Sequence, residues 1–149
     1  MSLHTDLIFV RALQQSGDID LIVDDRIYMT AIPRPEEELV NEPLPYIIVI
    51  DEGKQPAQTT KDDEWMPSLW HVSAGIEVGA TSPNEVDTIV MKAMRAIANH
   101  IQTLCEQGEE IPYLSEGFPQ TQGVAWDWTK PCYFDVAHYQ CDINNTPDE

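Results

Sequence analysis

Apolar residues first recur at helical spacing between Thr5 and Gln15, where Leu7, Val10 and Leu13 share one face. Thr5 can cap such a helix and Asp6 favours its positive end, so a helix is predicted over about residues 5–16. Gly17 suits the left-handed position that would end it. A polar link containing Asp18, Asp20, Asp24 and Asp25 leads to Arg26–Ile32, which reads as a strand stopped by Pro33 and Pro35. Residues 33–45 form an acidic, proline-rich loop holding Glu36, Glu37 and Glu38. The continuous apolar run Tyr46–Ile50 predicts a strand covered on both faces, by the fold or by a partner. Farther along, Trp70, Val72, Ala74, Ile76 and Val78 alternate with His71, Ser73, Gly75, Glu77 and Gly79, a strand with one packed and one open face. The two strands read as a hairpin with a long polar tip, 51–68, that contains Lys61-Asp62-Asp63-Glu64-Trp65.

The strongest periodicity follows. Ser82, Pro83 and Glu85 form a helix start with capping-box spacing, and Val86, Ile89, Val90, Ala93, Ile97, Ile101 and Leu104 continue as a stripe. The predicted helix runs from Pro83 to about Gln107, with Gly108 ending it and Met91 and Met94 as core filler. Val124–Trp128 and Cys132–Ile143 read as two further strands joined by a turn, and 144–149 as a frayed polar tail. The pattern predicts one α+β domain over 1–149. Its architecture is a single mixed or mostly antiparallel sheet, with the N-terminal helix and the long helix packed on one face.

Composition narrows what such a domain can do. The 149 residues hold 26 acidic against 8 basic side chains, a net charge of −18. That balance argues against a tight grip on nucleic acid or an anionic membrane, each of which needs Lys and Arg against phosphate. At 42% apolar and 8% aromatic the chain is ordinary globular protein and not a disordered acidic tail. No apolar run approaches the ~20 residues of a membrane helix, and the first residues lack the basic-then-apolar pattern of a secretory leader. Cys105, Cys132 and Cys141 contain no CxxC spacing and read as free thiols.

Catalytic patterns are absent from the sequence: no Gly-rich phosphate loop, no GxSxG, no HExxH. His4, His71, His100 and His138 are scattered singly, without metal-ligand spacing. The acidic clusters Asp24-Asp25, Glu36-Glu37-Glu38 and Asp62-Asp63-Glu64 lack the alternate-position spacing of an EF-hand and read as solvated loops. No catalytic residue, metal or cofactor is therefore expected. Trp65 beside acids is the tryptophan that best fits a protein interface, with Trp126 and Trp128 weaker candidates.

The order of elements carries a resemblance. An N-terminal helix, then "DRIYMTAIP" with Asp25 to Tyr28, then "PLPYIIVI" with Leu44 to Tyr46, then "VSAGIEVGATSPNEVDTIVMKAMRAI" from Val72 to Ile97, resembles the bacteriophage tail-completion or tail-terminator family. That family is also called minor tail or head–tail joining. The resemblance covers about residues 5–105, and the last third only as a strand pair. Gly75 and Glu77 stand where the family often has Trp or Tyr with a polar residue.

The resemblance implies a structural protein, not an enzyme. It implies a homo-oligomeric ring, commonly hexameric, with the tail tube protein and the head connector protein as partners. Such a protein resides in the host bacterial cytoplasm during assembly and then in the virion tail. A neighbouring subunit could cover the doubly apolar strand, making Tyr46, Ile48, Ile50, Trp65 and Trp70 the candidate interface. Glu36, Glu37, Glu38, Asp62, Asp63 and Glu64 are candidates for an acidic lumen or loop surface through which DNA slides without sticking. The alternative reading is an acidic immunity or inhibitor protein that neutralises a basic toxin or nuclease. A small Cys–His hydrolase is a third. Composition alone stops at an acidic α+β interaction domain.

Overall fold

The computed structural model describes residues 5–56, 69–106, 113–114 and 120–144. Two helices, α1 (Thr5–Gln14) and α2 (Gly17–Val23), precede strand β1 (Ile27–Met29). A strap then crosses to β2 (Tyr46–Pro56) and contains a 3-10 helix, Glu36–Asn41. Strand β3 (Leu69–Ala80) and helix α3 (Pro83–Glu106) follow, then β4 (Tyr113–Leu114), β5 (Gln120–Thr121), β6 (Ala125–Asp127) and β7 (Cys132–Asn144). The sheet runs β1-β2-β3-β7, and β4, β5 and β6 each pair with a different stretch of β7. Among the described residues only the β1–β2 pair is parallel, so the sheet is mixed and the class is α+β.

One face of this sheet carries the main core. Ile47 and Val49 of β2, Ala74, Ile76 and Val78 of β3, and Ala137 and Tyr139 of β7 point to the same side, as strand alternation requires. Against them pack Val86, Ile89, Val90, Ala93, Ile97 and Ile101 of α3, Phe9, Val10 and Leu13 of α1, and Ile19 and Val23 of α2. Phe9 meets Tyr139 edge-to-face with ring centroids 5.2 Å apart. At the start of α3 the Glu85 N–H donates to Ser82 Oγ at 3.2 Å. The Glu85 carboxylate, however, accepts from the Thr81 hydroxyl at 2.8 Å, a variant of the capping box. Met91, expected in the core, stands 60% exposed, while Met94 packs against the core.

The structure departs from the sequence expectations at the first helix. It stops at Gln14, and Gly17 opens a second helix instead of closing the first. The Ser16 side chain accepts the Ile19 N–H, Asp18 and Asp20 occupy the positive first turn, and Ile19 and Val23 bury one turn apart. The intervening aspartates had disguised that apolar pair as a link. Strand β1 is shorter than Arg26–Ile32 because Thr30 adopts φ 72°, leaving the extended region. The loop 33–45 contains a 3-10 helix, and β4 and β5 lie where only loop was expected. Asn144 ends β7; the remainder of the expected tail lies outside the described residues.

Candidate functional site

The sheet face away from the helices is where polar chemistry gathers, and it begins with a glycine. On β3 the open-face positions are His71, Ser73, Gly75, Glu77 and Gly79, and Gly79 sits opposite Tyr46. The Tyr46 ring lies over Gly79; a Cβ there would come within 2.0 Å of its Cε2. Its hydroxyl donates to Glu77 Oε2 at 2.8 Å and lies 4.0 Å from Cys132 Sγ. Burial pushes the Tyr46 hydroxyl far above its ordinary pKa, and the Glu77 charge adds to this.

Lys130 reaches the same corner, 2.9 Å from Asp127 Oδ2, 3.9 Å from Glu77 Oε2 and 5.8 Å from the Tyr46 ring centroid. Burial opposes its charge, but the hydrogen bond with Asp127 and the two carboxylate charges win and raise its pKa. Asp127 is likewise pushed up by burial, yet hydrogen bonds from the Lys130 ammonium and the Thr129 and Lys130 N–H groups hold it below the ordinary value. Burial raises the pKa of the Cys132 thiol, which is not in a disulfide.

The strap lies over the β2 half of this face. Ile32 buries with Tyr46, Ile48 and Cys132, and Leu39, Leu44, Tyr28 and Ile50 pack around them. Tyr46 (0% exposed) and Ile48 (5%) are therefore covered by their own chain, and Ile50 is half-buried. The second face of this apolar strand, for which the sequence left the cover open between the fold and a neighbouring subunit, is closed from within. A polar clasp fixes the strap. The Tyr28 hydroxyl donates to Glu42 Oε1 at 2.7 Å, and the Arg34 guanidinium pairs with the same buried carboxylate. Arg26 ties the two ends, donating to the Pro45 carbonyl at 2.8 Å and to the Ile22 carbonyl. The "DRIY" and "LPY" segments thus meet in space, Ile27 beside Ile47 and Tyr28 beside Ile48.

Farther along the face, a bulge between Asp51 and Gly53 throws Glu52 across the sheet. Gly53 takes φ 110°, and its N–H donates to Asp51 Oδ1 at 2.9 Å. The Glu52 carboxylate lies over Gly75, 3.2 Å from where a Cβ would stand, and accepts from His138 Nδ1 at 2.9–3.0 Å. The other ring nitrogen of His138 is 2.9 Å from the Gln122 amide nitrogen. One neutral tautomer satisfies both contacts, with Nδ1–H donating and Nε2 accepting. Both ring nitrogens are engaged, so the imidazole is a strut joining β2, β7 and the segment after β5. Beside it opens a pocket of about 300 Å³ lined by Glu52, Gly53, Gln55, His71 and Ser73.

An aromatic corner completes the picture. Trp126 packs edge-to-face on Tyr133 at 4.9 Å and on Trp128 at 5.9 Å, and Trp128 is 86% exposed. Other expected residues fall elsewhere. Glu36, Glu37 and Glu38 are exposed on the first turn of the strap's 3-10 helix. Asp62, Asp63, Glu64 and Trp65 lie outside the described residues. Trp70 is placed by its backbone, between Pro56 and Ile143, while its side chain is not described. Among the described residues no three His, Cys, Asp or Glu side chains are arranged to hold a metal ion, and no helix is long and apolar enough to cross a membrane. The Glu52–His138 pair spans 86 positions and has no signature in sequence. Trp128 had one, an Asp-Trp-Thr-Lys turn signal within a Trp-x-Trp pair.

Neither a sequence profile of a known family nor any curated protein matches the chain. Among solved structures, the gp17 protein of bacteriophage SPP1 shares the fold, with 13% identity, a TM-score of 0.53, and coverage of 97% of this chain and 94% of that one.

Proposed function

We propose that this chain is a structural protein of a phage or prophage tail. It assembles into a ring, hexameric in the expected form, that terminates the tail tube and joins it to the head connector. The observation that carries this reading is the likeness to a phage protein along essentially the whole length of both chains, helices and sheet together. The sequence resemblance to the tail-completion family supports it, and two of the segments that carry it form one tied unit around Arg26 and Tyr28. The role is non-enzymatic, needs no cofactor, and takes place in the host cytoplasm and then in the virion tail.

Light scattering on a size-exclusion column, at millimolar protein with and without ~10 mM Mg²⁺, tests this reading. Copies carrying −18 each repel, so salt or Mg²⁺ should favour a closed species near six subunits. Dissociation of the oligomer by Mg²⁺ would sink the acidic-lumen idea. A strict monomer that retains a basic host protein in stoichiometric amount would favour the inhibitor reading instead.

A further inference from the structure

Trp128 is an exposed indole on a rigid mount. The Asp127 carboxylate accepts the Thr129 and Lys130 N–H groups at 2.8 and 3.3 Å and pairs with the Lys130 ammonium, so the turn is pinned from inside. Trp126, itself wedged on Tyr133, supports the indole from one side. A large aromatic already held in place loses little entropy on docking, and such residues anchor interfaces.

The 300 Å³ pocket lies at the opposite corner of the same sheet. The turn follows the β6–β7 end where Tyr133 and Phe134 face Ala80 and Gly79, whereas the pocket residues Ser73 and His71 face Gln140 and Asp142. Six to nine residues of β3 separate them, about 20–30 Å at ~3.3 Å per residue. Its size suits one side chain, at the low end of the ~300–1,000 Å³ of small-molecule sites. Its Glu52, Gln55 and Ser73 offer acceptor oxygens, and an indole N–H is a donor only. Charge points the same way. With 26 acidic and 8 basic residues, most charges of one copy repel those of the next, and an uncharged hydrogen-bonding aromatic is an anchor that like-charged copies can share.

We propose that Trp128 of one copy inserts into the pocket lined by Glu52, Gly53, Gln55, His71 and Ser73 of the next. Its indole N–H donates to the acceptors there. Knob and pocket are different patches, so the contact is heterologous and repeats head to tail, closing into a ring when the rotation allows. The inference rests on the assembly reading above and names the contact that builds it.

The test uses the full chain and two variants. Trp128→Ala removes the knob, and Gln55→Trp, at an exposed strand position, fills the pocket; circular dichroism checks that both fold. Each alone should weaken self-association at least about thirty-fold by light scattering, the hot-spot range. An equimolar mixture should form a dimer and nothing larger, because it contains one intact knob and one intact pocket. An oligomer unchanged by Trp128→Ala, or a mixture as inert as its parts, overturns this contact and leaves the ring standing. A wild type monomeric under every condition overturns both.

Discussion

The two faces of the sheet are built from the same three long strands and are closed in different ways. The helix face is mainly apolar: Ile47, Val49, Ile76, Val78 and Ala137 meet α1, α2 and α3, and its polar groups include the buried Tyr139 hydroxyl and the buried Asp135 carboxylate, which accepts the Gly123 N–H. The opposite face is a mosaic. Under the strap it holds a small apolar cluster around Tyr46 and Ile48, fixed by Glu42. Beyond the strap it turns polar, crossed by Glu52 and His138. Stability scales with apolar area removed from water, so the helix face carries the fold. The other face fixes where particular side chains stand, Lys130 beside Glu77 at one end and the pocket at the other.

The sharpest way to break this contrast is to remove volume from the helix face. Ile97→Ala, in the middle of α3 and fully buried, should cost about 2–5 kcal/mol in urea unfolding through a lost transfer contribution and a cavity. On the open face the matching experiment adds volume. Gly79→Ala places a methyl group where the Tyr46 ring lies, and should cost about 1–3 kcal/mol. Combined with Tyr46→Ala its own cost should nearly vanish, a non-additivity read from a double-mutant cycle. If Gly79→Ala proved neutral in the wild-type background, the close stacking of that ring would be refuted.

The smallest effect concerns pH. Asp127 is held below its unfolded pKa, so its contribution is present above that value, near 3.9, and fades as pH falls through the lower folded value. Lys130 is held above its unfolded pKa, so its contribution is complete at neutral pH and fades as pH rises through the folded value. Asp127→Asn should therefore lower stability at pH 7 and lose less than wild type between pH 4 and pH 2. Equal acid slopes for the two proteins would show that the turn carries no charge-dependent stability.

Much of the helix face was legible in the sequence because its periodicities are local. The α3 stripe and the β3 alternation identify Val86 to Ile101 and Ala74 to Val78 as buried, and the structure buries them. What escaped depended on competition between local signals or on distant partners. Gly17 can end a helix or begin one, and Ser16 settles it by accepting the Ile19 N–H. Tyr46, Ile48 and Ile50 correctly announced a strand covered twice, yet sequence could not say that Ile32, Leu39 and Leu44 are the cover. Glu52 points at His138 only because a bulge re-aims it and Gly75 leaves room. No spacing rule encodes such a contact.

Strand β7 leaves one last consequence. Its outer edge is met by three separate short partners, Tyr113–Leu114 near Cys141, Gln120–Thr121 near His138, and Ala125–Asp127 near Tyr133. Each reads its own alignment from the strand, so a slip in one segment is not handed to the next. The edge behaves as a rail with independent sliders, on which a shift of one short strand leaves the other two in frame.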